Sequence, residues 1–167
     1  LWGHPLYRWD YHGQTGYQWW VTRMWYVFQL YDVTRIDHFR GFEKFYSIPA
    51  KDTTAENGKW KKGPGIDLFN AIKAELGDVK IIAEDLGIIT PEVEELRDMF
   101  KLPGMKVLQF AFDTEEENDY LLHNFTKNSV AYTGTHDNDT VIGFMTITAP
   151  RKNRKRAKEY LRLSRKE

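Results

Sequence analysis

Three short stretches of this 167-residue sequence are rich in polar groups that include carboxylates: Arg35-Ile36-Asp37-His38-Phe39-Arg40-Gly41, Ala83-Glu84-Asp85-Leu86-Gly87 and Gly134-Thr135-His136-Asp137-Asn138-Asp139-Thr140. Carboxylates held close together cost free energy unless they are paired or serve chemistry. The structural alternative is helix capping, where Asp is favoured, and one of the three clusters fits it as well as it fits chemistry. Three reactions would use such a set. In glycoside transfer one carboxylate attacks an anomeric carbon and a second, ~5–5.5 Å away, protonates the departing oxygen, so that configuration is retained. In metal-assisted hydrolysis His38, Glu84, His136 and Asp137 would be the ligands, yet no His-x-His pair and no His-Glu-x-x-His spacing occurs. Phosphoryl transfer calls for a G-x-x-x-x-G-K loop, which the chain lacks. Aromatic residues make up 15%, and their faces pack well on the apolar faces of sugar rings, which tips the balance to glycosides.

Whatever the chemistry, the acids need elements that bring distant positions to one rim. From about Tyr17 to Asp32 there is no proline or glycine, and Trp20, Met24, Val27, Phe28 and Tyr31 recur at helical spacing. The aromatic stretch before it, broken by Gly3, Pro5, Gly13 and Gly16, reads as a loop. Trp19, Trp20 and Trp25 are expected in the core. Val33–Phe39 is a short strand candidate, and Ile48–Gly65 reads as a loop. Ile66–Leu76 is helical, with Gly77 at its C-terminal cap. Val79–Ala83 is β-rich and runs into Glu84. Thr90-Pro91-Glu92 opens a helix that stops near Phe100. Lys106–Phe112 and Ser129–Tyr132 are further strands, and Pro150 introduces a last helix. Alternation of this kind means parallel β/α units, either part of a (β/α)8 barrel or an open doubly wound sheet, in which active sites collect at the C-terminal strand ends.

Composition narrows the class. Apolar residues are 41% and charged residues 29%, ordinary for a water-soluble globular fold. The chain has no cysteine, hence no disulfide framework, which points to a reducing, cytoplasmic setting. No run of 18 apolar residues exists to span a membrane. Formal charge is zero overall, but from Arg151 onward nine Lys/Arg stand against two Asp/Glu, and before it 15 against 22. The basic end is read as a surface helix rather than a nucleic-acid site, because the acidic remainder would repel a polyanion.

At these same clusters, and at Trp2-Gly3 through Pro5-Leu6-Tyr7-Arg8-Trp9, Thr90-Pro91-Glu92-Val93 and Leu102–Phe112, the sequence resembles the 4-α-glucanotransferase family, relatives of the α-amylases, from Leu1 to about Gly143. His4 stands where the family usually has Asn. The resemblance implies a retaining enzyme that moves α-1,4-glucan segments between maltooligosaccharide donor and acceptor chains of the starch and glycogen kind. Neither metal nor cofactor is implied. The whole chain, 1–167, would be a catalytic (β/α)8 barrel segment carrying about strands four to seven of a longer protein. Asp37 would be the nucleophile, Glu84 the acid and base, and Asp137 the ionised group that stabilises the transition state. Arg35 would orient Asp37, and His136 would bind hydroxyls of the same ring, with His38 a lesser candidate. Trp2 would line the acceptor side, Asp85 would support the site among the binding residues, and Phe110 would contact glucan or pack. Two alternatives stay open: an α-glucan hydrolase using the same acids, and a glucan-binding piece without chemistry.

Overall fold

The structure, a computed structural model, describes residues 3–113 and 117–164. The chain forms two compact units, Leu1–Gly104 and Met105–Glu167. In the first, helices α1 (Trp9–Gln14) and α2 (Gln18–Leu30) precede strand β1 (Thr34–Ile36), a short helix α3 (Arg40–Glu43) and a hairpin of β2 (Lys44–Ser47) and β3 (Lys59–Lys62). Helix α4 (Gly65–Leu76), strand β4 (Ile81–Ala83) and helix α5 (Pro91–Met99) follow. β1 and β4 pair in parallel, with Thr34 opposite Ile81, Arg35 opposite Ile82 and Ile36 opposite Ala83. Parallel neighbours need a long crossover, and here it contains α3, the hairpin and α4. β5 (Gly104–Val107) follows in sequence, and the Ala83 N–H donates to the Pro103 carbonyl at 2.9 Å just before it.

This is the expected β/α alternation, but among the described residues no barrel closes and the strands form three two-stranded sheets. Several local expectations give way. The aromatic stretch before Tyr17 contains α1, with His12 N–H bonded to the Arg8 carbonyl; its glycines fall at and beyond the helix end. The expected loop 48–65 contains β3, whose Lys59-Trp60-Lys61-Lys62 is exposed throughout and so carries no alternating pattern. Residues 108–112, expected to prolong a strand, turn into a 3₁₀ helix. Of the three α2 tryptophans only Trp20 is buried, while Trp19 and Trp25 are about half exposed.

The core of the first unit lies between the β1–β4 pair and the helices. Phe39, Leu68, Ala83 and Val93 are fully enclosed, with Phe42, Phe69, Ile72 and Leu96 around them. Helix α4 ends as its sequence predicts: Gly77 adopts φ +72° and donates to the Lys73 carbonyl at 2.9 Å, a conformation that L side chains rarely take. Helix α5 is tied to the end of β4 by an ion pair, Arg97 Nη1 to Asp85 Oδ2 at 2.5 Å, with the two side chains 14% and 5% exposed. Burial works against the Arg97 charge, but the bonds to Asp98 and Asp85 outweigh it and its pKa rises. Gly104 leaves room for this pair, since a Cβ there would stand 2.3 Å from Asp85 Oδ2.

In the second unit, β5 neighbours β6 (Ser129–Tyr132). Helix α6 (Val141–Gly143) follows, and the basic helix α7 (Arg151–Tyr160) seats its buried Ala157 in a cluster with Ala111, Phe112, Leu121 and Phe144. The remainder of α7 is largely charged and exposed, the surface helix expected from its composition.

Two changes test this packing. Leu68→Ala removes a side chain with no exposed surface and should cost on the order of 2–5 kcal/mol, read as a lower midpoint in urea unfolding. Arg97→Leu strands the buried Asp85 carboxylate and should cost roughly 3–5 kcal/mol in the same measurement. A neutral Arg97→Leu would show that the pair does not hold α5 to the strand end.

Candidate active site

The parallel register sets the first two acids side by side. Asp37 and Glu84 each directly follow the last paired residues, Ile36 and Ala83. The ladder continues past them: Glu84 N–H donates to the Ile36 carbonyl and Phe39 N–H to the Glu84 carbonyl, both at 2.9 Å. Between those bonds the chain turns at His38, with φ +46°. That turn aims the His38 N–H at Glu84 Oε2, 2.6 Å away, while Leu86 N–H donates to Oε1 at 3.1 Å. Both carboxylate oxygens are therefore held by backbone. Burying the Phe39 ring and ending β4 together dictate this geometry, so the acid's position does not depend on its own rotamer preference.

Arg35 and Asp37 lie two residues apart and share a face of the strand. Arg35 Nη2 meets Asp37 Oδ1 at 2.6 Å, with the arginine side chain 30% and the aspartate 73% exposed. The carboxylate is thus oriented yet open to a reagent. Around it lies a hollow of about 420 Å³, whose floor includes Arg35, Asp37 and His38. Its walls include Tyr7, Trp9 and Trp20. The three rings support one another, with Tyr7–Trp9 centroids 5.0 Å apart, Tyr7–Trp20 5.2 Å and Trp9–Trp20 stacked at 5.8 Å. Glu84 is not part of that lining; it sits beyond the His38 backbone that it accepts from.

The expected residues therefore divide. Arg35, Asp37, His38 and Glu84 are gathered at one strand-end rim. Asp85, the next residue after Glu84, faces the other way, as strand alternation requires, and is committed to Arg97. Its side chain, 5% exposed, meets Arg97 of α5, so the structure does not bring it to the open rim where it was expected among the binding residues. Trp2 lies outside the described residues. Tyr7 and Trp9 were missed as lining residues, because glycine-broken aromatics read as loop, while Trp20 is core as expected and also lines the hollow. Their contribution comes from α1 and α2 folding the chain back over β1, which no local pattern reports.

In the second unit the turn after β6 is internally braced. Thr135 donates from both its N–H and its hydroxyl to Asn138 Oδ1, at 2.9 and 3.0 Å. The buried Gln109 side chain donates to the Asp139 carbonyl at 2.8 Å. Asp139 accepts from the Thr140 N–H at 2.7 Å, and the Thr140 hydroxyl caps α6 through the Gly143 N–H. Gly143 has to be glycine here, since a Cβ would stand 2.2 Å from the Asp139 carboxylate. With Asn138, Asp139 and Thr140 occupied by the turn, His136 and Asp137 are left about three-quarters exposed, His136 Nε2 lying 3.5 Å from Asp137 Oδ1. Capping thus explains Thr140 and bracing explains Asp139, while neither accounts for Asp137. Phe110 sits in the 3₁₀ turn rather than on a strand and packs edge-on against Tyr120, centroids 5.3 Å apart. Gln109 was not anticipated; an amide between apolar neighbours is weak as a sequence signal. Among the described residues, no three His, Asp or Glu side chains gather as a metal site would require.

Comparison with known proteins bears directly on this arrangement. The family described as 4-alpha-glucanotransferase matches residues 1–167. A 4-alpha-glucanotransferase of Clostridium butyricum is 51% identical over 167 residues, all of this chain and 34% of its own length. The Thermus thermophilus enzyme of that name is 53% identical over 151 residues, 89% of this chain and 30% of its own, and a chloroplastic/amyloplastic one from Solanum tuberosum is 48% identical over 161 residues, 96% and 28%. The solved amylomaltase from Streptococcus agalactiae in complex with acarbose superposes with a TM-score of 0.91 at 41% identity, covering 100% of this chain and 34% of that one. The chain spans about a third of the length of these relatives. The aromatic hollow, the acids at the ends of a parallel pair and a family match running end to end agree: the chain belongs to the 4-alpha-glucanotransferase family.

Proposed function

We propose that this chain supplies the catalytic carboxylates of a 4-α-glucanotransferase, within a (β/α)8 barrel of which it carries about strands four to seven. The observation that carries the reading is the placement of Asp37 and Glu84 at matching positions past one parallel strand pair, the first beside an arginine and the second gripped by two backbone N–H groups. Asp37 attacks C1 of a donor glucose while Glu84 gives its proton to the departing O4. The C1–O4 bond breaks, a glucosyl ester forms on Asp37, and the shortened donor leaves with the proton. Glu84, now a carboxylate, takes the proton from the 4-hydroxyl of an acceptor chain as that oxygen attacks C1, and Asp37 is released. Two inversions give overall retention.

Arg35, its Nη2 2.6 Å from Asp37 Oδ1, keeps the nucleophile oriented between these steps. Asp137 and His136 hold hydroxyls of the reacting ring, and Asp137 strengthens its hold as positive charge develops there. Trp2 lines the acceptor side. Tyr7, Trp9 and Trp20 offer an apolar wall on which glucose rings pack. The substrates are α-1,4-glucans of the starch and glycogen kind, and acarbose, bound by the Streptococcus agalactiae amylomaltase, is the ligand to try. Among the described residues no helix is long and apolar enough to cross a membrane, and the absence of cysteine fits work in a reducing compartment such as the cytoplasm.

The test uses the full-length protein with maltotriose. A ladder of longer maltodextrins, with little free glucose at early times, is the expected product pattern, whereas glucose and maltose alone would make it a hydrolase. Asp37→Asn and Glu84→Gln should each lower kcat by on the order of 10⁴-fold, with KM changed far less. Retained turnover in either variant would reject the assignment, and glucan binding with no turnover in the unaltered protein would leave only a binding module. Asp137→Asn should lower kcat by on the order of 10²–10³-fold, as removal of a group that acts at the transition state does.

A further inference from the structure

Arg40 ends the Arg35–Arg40 cluster without a part in the chemistry proposed above, and its surroundings give it one. It opens α3, directly after the turn that carries Asp37 and His38. Its guanidinium donates through Nη1 to the carbonyl of Ile88. The same guanidinium lies over the Trp60 ring, 4.5 Å from its centre. Trp60 stands directly across the hairpin from Tyr46, the two rings meeting edge to face at 5.2 Å. The Tyr46 hydroxyl in turn donates to the Ala55 carbonyl at 3.0 Å. Two glycines permit this hairpin to seat so closely. A Cβ on Gly58 would fall 2.2 Å from the Tyr46 ring, and one on Gly63 would fall 2.2 Å from the Phe42 carbonyl oxygen.

Ile88 closes the turn that begins at Glu84. That turn carries the Leu86 N–H that grips Glu84 Oε1, then reverses at Gly87 with φ +87°. Asp85 pins the start of the turn through Arg97; at its far end the Ile88 side chain is 84% exposed, so there the carbonyl, held by Arg40, is the fixed point before Ile89 reaches the core. Only a planar guanidinium can lie flat on an indole and donate in plane to a carbonyl at the same time; a lysine ammonium does one or the other. Trp60 is half exposed and contributes little to the core; its partners are the Tyr46 ring across the hairpin and the Arg40 guanidinium that it backs.

We propose that Arg40, backed by the face of Trp60, is a positioning residue for Glu84: it fixes the turn 84–88 and thereby the N–H that orients the acid/base carboxylate. The inference rests on the assignment of Glu84 made above. Loosening the turn lets the carboxylate swing by a fraction of an ångström to an ångström, a displacement that costs turnover and spares substrate affinity.

The full-length protein and maltotriose disproportionation provide the test. Arg40→Gln and Trp60→Leu should each lower kcat about tenfold with KM within about twofold of the unaltered protein. The double variant should be no slower than the slower single one, because both changes cut the same strut. Trp60→Phe, which keeps an aromatic face, should restore kcat to within about twofold, while Arg40→Lys should not. Unchanged kcat in Trp60→Leu, effects that multiply in the double variant, or a change confined to KM would overturn the inference. Should Arg40→Gln lose its cooperative melt, the exposed Trp60→Leu decides the matter alone. Glu84→Gln serves as the control: if it is inactive while the Arg40 and Trp60 variants run at full rate, only this inference fails. If Glu84→Gln itself turns over, the assignment of Glu84 falls and the inference falls with it.

Discussion

The parallel pairing of β1 with β4 is the constraint from which the first unit's site follows. Side chains alternate along a strand, so one register decides which acids share a rim and which turn away. Pairing Ile36 with Ala83 makes Asp37 and Glu84 neighbours by default. A slip of one residue would exchange Glu84 for Asp85 and put a carboxylate needing Arg97 into the open. The register is in turn secured by burial, since Ile36, Ile81 and Ala83 all face the core while Arg35 and Ile82 do not. Core packing and site geometry are thus one requirement.

The two adjacent acids at the end of β4 show how a fold gives like groups unlike fates. Asp85 is enclosed and ion-paired through Oδ2 to Arg97 of α5. Glu84 is partly exposed and is held by backbone N–H groups alone. An ion pair with arginine would compete with proton transfer, because the guanidinium never gives up its charge. N–H donors orient a carboxylate without supplying a rival proton acceptor or a fixed cation. For a group that is to give and take a proton in successive steps, the second environment is the workable one, while the first suits a permanent anchor. The same contrast recurs between Asp139, which braces its turn, and Asp137, which the turn leaves open.

Much of this was legible in the sequence because it rests on short-range signals. The helix Gly65–Leu76 with its Gly77 cap, the Pro91 helix start and the three polar clusters at strand ends all follow from local pattern. What escaped depends on contacts across the chain. Strand β3 has only exposed side chains, so its existence is decided by its partner β2 and not by any periodicity of its own. The 3₁₀ turn at 108–112 begins where the alternation of KVLQFAF would carry a strand onward; the buried Ala111 and Phe112 pack instead with Leu121 and Phe144. Trp19 and Trp25 looked like core because tryptophan is large and apolar, yet α2 buries a single narrow stripe, Trp20 and Met24. The pairing of Asp85 could not be read either, since its partner lies twelve residues on, in the last turn of α5.

On the proposed reading, transfer rather than hydrolysis adds a demand that acids alone do not meet, and the aromatic wall is where the first unit would begin to meet it. A covalent glucosyl ester is open to any hydroxyl that reaches C1, and water is always the more abundant one. A sugar acceptor gains by binding: each ring laid on an indole or phenol face displaces water from apolar surface and fixes the acceptor hydroxyl near the ester. Tyr7, Trp9 and Trp20 provide that surface on the same hollow whose floor holds Asp37. Their mutual contacts at 5.0–5.8 Å keep the rings preorganised, so little ordering remains to oppose binding. On the proposed reading, the ratio of transfer to hydrolysis is therefore set less by the carboxylates than by how completely these rings keep water from the ester. On that reading two properties separate within one rim: the strand ends would cut the glycosidic bond, and the aromatic rings beside them would favour what receives the sugar.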